Sequence, residues 1–102
     1  MAAPLPIAWF NGTFMPLAAV HVSPLDRAFL YGDAVYEVIP VYAGESFLLD
    51  AHLDRLFEGA KALALDIGMD RAALTAAIYA TLAANGMDDG VHIRLMVTRG
   101  VK

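Results

Sequence analysis

DRAFLYGDAVYEV, residues 26–38, sets three carboxylates, a glycine and three aromatic rings at the entrance to an apolar run. From Asp33 to Tyr42 the chain reads DAVYEVIPVY, rich in β-branched and aromatic residues, and predicts a strand. Alternation along it puts Val35, Glu37, Ile39 and Val41 on one face and Ala34, Tyr36, Val38, Pro40 and Tyr42 on the other. Pro40 has no N–H to give to a ladder, so the strand is predicted to lie at an edge or to bulge near its end.

Upstream, WFNGTFM places Asn11-Gly12 between Trp9-Phe10 and Thr13-Phe14. Both central positions of a two-residue hairpin turn need positive φ, which Asn and Gly tolerate, so the chain is predicted to open with a β-hairpin. The intervening segment from Pro16 to Asp33 has no sustained period and predicts a long ordered connection. Downstream, Ala43-Gly44 turns the chain into a short strand from Ser46 to Leu49. Asp50 is the predicted N-cap of a helix whose stripe runs Leu53, Leu56, Phe57, Ala60, Leu63, Ala64 and Ile67 and which Gly68 stops. Asp70 caps a second helix, with Leu74, Ala77, Ile78, Thr81 and Leu82 on one side and Asn85-Gly86 at its end. VHIRLMVT, residues 91–98, alternates with Val91, Ile93, Leu95 and Val97 on one face and His92, Arg94, Met96 and Thr98 on the other. The order hairpin, ββ, αα, β predicts an α/β (α+β) two-layer small domain, a mainly antiparallel sheet with two helices on one face. The opposite face is left without a cover.

At 102 residues the chain fits a single domain. Its hydrophobic fraction of 59% exceeds the roughly 45–50% of ordinary soluble domains, which implies apolar surface meant for a partner or second domain. No apolar run approaches the roughly 18 residues of a membrane span, and the N-terminus lacks the charge pattern of a secretory signal. The absence of cysteine excludes a disulfide framework and fits a cytoplasmic setting. A formal charge of −4 with scattered Lys and Arg excludes a basic nucleic-acid surface.

Arg94 stands mid-strand among apolar neighbours, where a cation needs either an internal carboxylate, Glu37 or an Asp, or an anionic ligand. Arg55, off the apolar stripe of its helix, has Glu58 as its default partner. Glu37 falls on the inward face as a buried carboxylate for Arg27 or Arg99 to neutralise. Tyr31 and Tyr36 are core-type aromatics whose hydroxyls need partners. His21, His52 and His92 have no metal-ligand spacing, so no metal is expected; His52, near a helix start, is expected to make a local hydrogen bond. Lys61 lies on a polar helix face and Lys102 ends the chain, so neither suits a buried amine nucleophile. No nucleophile triad, phosphate loop or CxxC motif is present.

The ordered set of NG hairpin, DRxxxYGD, YExxxVYxG, HxxRL and TRG resembles the N-terminal small domain of class IV (fold type IV) pyridoxal-phosphate enzymes, from about Trp9 onward. That group holds branched-chain and D-amino-acid aminotransferases, (R)-amine transaminases and aminodeoxychorismate lyase. The resemblance implies pyridoxal 5'-phosphate as cofactor, an amino acid or amine and a 2-oxo acid as substrates, and a homodimer. It implies that Arg55 of HLDRL binds the cofactor phosphate and that Tyr31, Tyr36, Val38 and Pro40 line the substrate pocket. His92 and Arg94 fall where the branched-chain branch has a Tyr and an Arg near the substrate carboxylate. Pro40 replaces a basic or polar residue common in the family, leaving a more apolar wall. The resemblance further implies that residues 1–102 are the small domain alone. The Schiff-base lysine, the glutamate facing the pyridine nitrogen and a second phosphate-binding turn are then expected in a C-terminal domain outside this chain, which alone is expected to be inactive. GDAVYEV and VTRG favour the D-amino-acid or amine type, while HxR has branched-chain spacing. A lyase on the same scaffold and a non-catalytic dimerisation module are the alternatives.

Overall fold

The computed structural model describes residues 6–101; the expectations for the extreme N-terminus and for Lys102 lie outside the described residues. β1 (Ile7–Phe10) and β2 (Thr13–Pro16) form the predicted hairpin, with Asn11 at φ 51° and Gly12 at φ 88° in its turn. A 3-10 turn follows at Leu17–Ala19. The predicted connection then holds an element that its sequence did not announce, α1 (Arg27–Tyr31). Five residues are too few for a helical period to be visible, but both ends are punctuated. The Asp26 carboxylate accepts from Ala28 N (2.8 Å), and Gly32, at φ 69°, ends the turn in the left-handed region.

β3 (Ala34–Tyr42) lies between β4 (Glu45–Ser46) and β5 (Val91–Thr98) in a three-stranded antiparallel sheet; the β1–β2 hairpin is a separate sheet. The single predicted sheet is thus two. Pro40 sits in the central strand, contrary to an edge placement, and yet is compatible with it. β4 pairs only with Val41 and Tyr42, and Pro40 meets just the Phe47 N–H through its carbonyl (2.8 Å). The missing donor of Pro40 therefore faces a side where no ladder has formed.

The second strand is shorter than predicted because Leu48 turns to φ 53° and α2 (Leu49–Ala62) begins at once. Asp50 is consequently in the first turn, where a carboxylate favours the helix dipole, instead of at the cap. α2 also ends before Gly68. Ala64 adopts φ 52°, and the carbonyls of Leu63 and Ala64, just past the helix, receive the Arg99 guanidinium at 2.6 and 3.3 Å. α3 (Arg71–Asn85) has the predicted ends, Asp70 accepting from Ala73 N (2.8 Å) and Gly86 closing in the left-handed region.

Both longer helices cover the predicted face of the sheet. Ile39 and Val41 of β3 are wholly buried with Leu53 and Leu56 of α2, and Leu74, Ile78 and Leu82 of α3 complete the core. Gly59 marks the tightest crossing: a Cβ there would stand 3.2 Å from Val35 Cγ1. Apolar surface is left exposed at Leu25, Phe29, Leu30 and Tyr31, along and before α1. Replacing a fully buried leucine loses its transfer energy and leaves a cavity. Leu53→Ala is expected to cost about 2–5 kcal/mol in urea unfolding, whereas Val22→Ala on the surface stays within about 0.5 kcal/mol.

Candidate functional site

β3 and β5 pair with Tyr36 opposite Met96, Val38 opposite Arg94 and Pro40 opposite His92. Each of these residues falls on the face opposite Ile39 and Val41, so one register brings Tyr36, Val38, Pro40, His92 and Arg94 together on the uncovered side. Tyr36 is 58% exposed, an unusual state for a tyrosine in the middle of a strand. The Arg94 guanidinium lies 5.6 Å from the Tyr36 ring centroid and makes no ion pair among the described residues. The choice left open by the sequence resolves against an internal salt bridge. Arg94 is a cation laid over an aromatic ring, with its donors available to an anion.

Glu37 points the other way and is 5% exposed. Its expected partners, Arg27 and Arg99, are both elsewhere. Arg55 holds it instead, Nε donating to Oε2 at 2.9 Å and Nη2 to Oε1 at 2.6 Å, and His52 Nδ1 meets Oε1 at 2.7 Å. Arg55 is therefore not paired with Glu58, and His52 bonds across the layers and not locally. His52 and Arg55 stand three apart on α2 and share one side of the helix, directly over an inward carboxylate. That spacing was the available signal. The double hydrogen bond from Arg55 is the main reason that Glu37 is held below the usual carboxylate range, and the same pair raises Arg55. Arg55 is nonetheless 72% exposed, and three of its five N–H groups are unengaged among the described residues. A buried carboxylate thus fixes the guanidinium while its outer donors face outward.

Arg27 and Arg99 converge on Asp33 Oδ2, at 3.3 and 2.5 Å, and hold that carboxyl below its ordinary range, chiefly through the Arg99 bond. Thr98 Oγ1 donates to Asp26 Oδ2 at 2.9 Å, and Arg27 N donates to Gly100 O at 3.0 Å. DRxxxYGD and TRG are in this way two halves of one knot. Tyr31 belongs to its rim: it ends α1, is 71% exposed, and has Arg27 Cζ 5.1 Å from its ring. Tyr31 and Arg55 are thus not on the open sheet face with the other five candidates, and neither Tyr31 nor Tyr36 is a core aromatic.

The uncovered sheet face with Tyr36 and Arg94, the guanidinium of Arg55 fixed by Glu37 and the Asp26–Asp33–Thr98–Arg99 knot stand in a chain whose class its relatives identify. Residues 34–102 match the model of the family described as Amino-transferase class IV, and the chain belongs to that family. Among its relatives are branched-chain-amino-acid aminotransferase-like protein 1 of Arabidopsis thaliana, 45% identical over 96 residues, and a D-alanine aminotransferase of Bacillus licheniformis, 37% identical over 91 residues. These alignments cover 94% and 89% of this chain but 17% and 32% of the relatives. Of solved structures, the T.th. branched-chain amino acid aminotransferase with pyridoxamine 5'-phosphate superposes with a TM-score of 0.87 at 30% identity, over 98% of this chain and 34% of that one. The chain spans about a third or less of the length of these relatives. No described helix is long and apolar enough to cross a membrane.

The depressed carboxyls fix the sign of an acid response. A group whose folded pKa lies below its unfolded one stabilises the fold above the unfolded value, about 4, and that stability disappears as pH falls through the folded pKa. Unfolding free energy is expected to fall on acidification below about pH 4.5. Glu37→Gln should be less stable than the parent at pH 7, and the gap should close in acid. A constant gap across a pH series of urea melts would contradict the assignment.

Proposed function

We propose that this chain is the small domain of a longer pyridoxal-phosphate-dependent aminotransferase. The enzyme would transfer an amino group between an amino acid or amine and a 2-oxo acid, with the D-amino-acid or amine type favoured, and would act as a homodimer. The observation that carries this reading is the coincidence of an anchored, outward-facing Arg55 with an uncovered Tyr36/Arg94 sheet face in a chain of this family.

Pyridoxal phosphate fits the residues present. Its phosphate needs oriented cationic donors, and Arg55 keeps three N–H groups free while Glu37 holds the rest of the fork. When bound, the cofactor supplies the electron sink for chemistry at the substrate's amino carbon. The chain's own residues do the positioning. Arg55 holds the phosphate end, with Glu37 and His52 preventing its guanidinium from turning away. Arg94 takes the substrate carboxylate, and its contact with Tyr36 limits where that carboxylate can lie. Tyr36, Val38 and Pro40 shape the side-chain pocket, with Pro40 contributing an apolar wall and no charge. Tyr31, at the end of α1, contacts substrate from the rim. In this reading the covalent anchor of the cofactor lies in the rest of the longer protein.

In the full-length protein, Arg55→Ala should weaken retention of pyridoxal phosphate by about 10- to 100-fold, the equivalent of losing a charge-assisted hydrogen bond or two, as read from cofactor absorbance after dialysis. Unchanged retention would remove Arg55 from the site. Arg94→Gln should raise KM for an amino-acid donor while leaving cofactor retention intact. Amino transfer from D-alanine or an (R)-amine to pyruvate or 2-oxoglutarate is the expected activity; transfer from L-leucine alone would move the protein to the branched-chain type. Cofactor binding without any amino transfer would favour the lyase.

A further inference from the structure

Glu37 holds a second side chain of α2 besides Arg55, and the chemistry of that bond fixes a proton. His52 Nδ1 stands 2.7 Å from Oε1, the same oxygen that accepts Arg55 Nη2 at 2.6 Å. The paired guanidinium keeps Glu37 ionised, its carboxyl held below the ordinary range chiefly by the Arg55 bond. An ionised oxygen has only lone pairs to offer, so Nδ1 must supply the hydrogen. In the neutral ring the proton is then on Nδ1, and Nε2 is left with a free lone pair.

A buried carboxylate that fixes the tautomer and leaves the far nitrogen free prepares an imidazole to take a proton there. Nε2 is also open. It has no partner among the described residues, yet the buried side-chain atom left without one is Ser46 Oγ, and the His52 side chain is 16% exposed. Nε2 lies across the ring from Nδ1 and so faces away from Glu37. The three unengaged N–H groups of Arg55 face away from the same carboxylate. Because Nδ1 and Nη2 share one oxygen, ring and fork are neighbours, and an anion seated on the outer donors of Arg55 comes within reach of Nε2.

Charge decides what the cluster needs. Glu37 from β3 and Arg55 from α2 cancel each other. Asp50 and Asp54 of α2 turn to Arg71 at the start of α3, and Leu95, opposite Glu37 on β5, carries no charge. A phosphate monoester of about −1.5 to −2 charges would therefore meet a pair with no net charge of its own. A proton on Nε2 makes the cluster a net cation.

We infer that His52 is a second ligand of the phosphate monoester held by Arg55, and that it binds as an imidazolium, Nε2–H donating to a phosphate oxygen while Nδ1–H stays on Glu37. The inference rests on the reading that Arg55 holds the cofactor phosphate. The proton enters at Nε2, from solvent when the ligand arrives as the dianion or from the phosphate hydroxyl when it arrives as the monoanion. No bond to phosphorus or carbon changes. Glu37 compensates the second cation as it compensates the first.

Nitrogen NMR on isotope-labelled full-length protein, freed of cofactor, tests this with methyl phosphate, which has the phosphate monoester and none of the aldehyde chemistry. His52 Nε2 should be unprotonated in the free protein at about pH 7.5 and protonated at saturating methyl phosphate. Affinity should fall about tenfold between about pH 7 and pH 9, as the proton becomes costlier to take up. His52→Asn keeps an amide N–H in the place of Nδ1 for Glu37 and has nothing in the place of Nε2. It should bind methyl phosphate about tenfold more weakly at pH 7 and lose most of the pH dependence. A histidine that only braced Glu37 would change neither the state of Nε2 nor the slope. Nε2 that stays unprotonated at saturation overturns the inference and leaves the Arg55 site standing, and so does an Asn variant with the parent's affinity and pH profile. If that variant does not fold, the state of Nε2 in the parent decides alone. Absence of binding, or binding that survives Arg55→Ala, refutes the phosphate site of the proposed function and this inference with it.

Discussion

β3 can bury only one of its faces, and everything else in the domain is arranged around that inequality. Ile39 and Val41 on one side give α2 and α3 something to cover, and once they are covered the other side has no helix left to shield it. Tyr36, Val38 and Arg94 are exposed because the two available helices are already committed. An apolar or aromatic strand face without a cover is costly in water, so it is retained where a ligand or a second domain completes it.

Glu37 connects the two sides. It stands in the buried face among aliphatic neighbours, where an unpaired carboxylate would be prohibitive, and its ion pair with Arg55 and its hydrogen bond with His52 pin the start of α2 to the strand. The same bonds that make Glu37 tolerable hold Arg55 in one orientation. A structural requirement of the core is met by a cluster that also leaves the outer donors of Arg55 facing solvent. Asp33 does comparable work at the other end of the strand, where Arg27 and Arg99 tie the entry of β3 to the exit of β5.

Much of this was legible in the residues. The Asn11-Gly12 turn, the faces of β3 and β5 and the α3 caps follow from local rules, because period, capping and turn chemistry act over a few neighbours, whereas the family motifs are legible only as a resemblance. What escaped involved partners far apart in sequence or elements too short to have a period. α1 has one turn, β4 has two residues, and Leu48 and Ala64 take left-handed conformations that no local preference of Leu or Ala foretells. The ion pairs were mismatched for the same reason. Arg55 could be placed on a polar helix side, but which of several carboxylates it faces depends on how the helix crosses the sheet, and Gly59 against Val35 fixes that crossing. Of the candidate site, the five residues on alternating strands came out together, whereas Tyr31 and Arg55, on helices, are set by packing.

The knot between residues 26–33 and 98–101 has a consequence for the order of events during synthesis. Its contacts join residues 72 and 66 positions apart, from Asp26 to Thr98 and from Asp33 to Arg99. A chain made from its N-terminus can form the first hairpin and α2 early, but α1 has nothing to anchor it and the Leu63 and Ala64 carbonyls just past α2 stay open until Arg99 has left the ribosome. Contacts of such long separation are slow to close because the loop between them must first be ordered. α1 is therefore the last helix to gain its anchor, and Phe29 and Leu30 on it stay exposed even when the knot has closed.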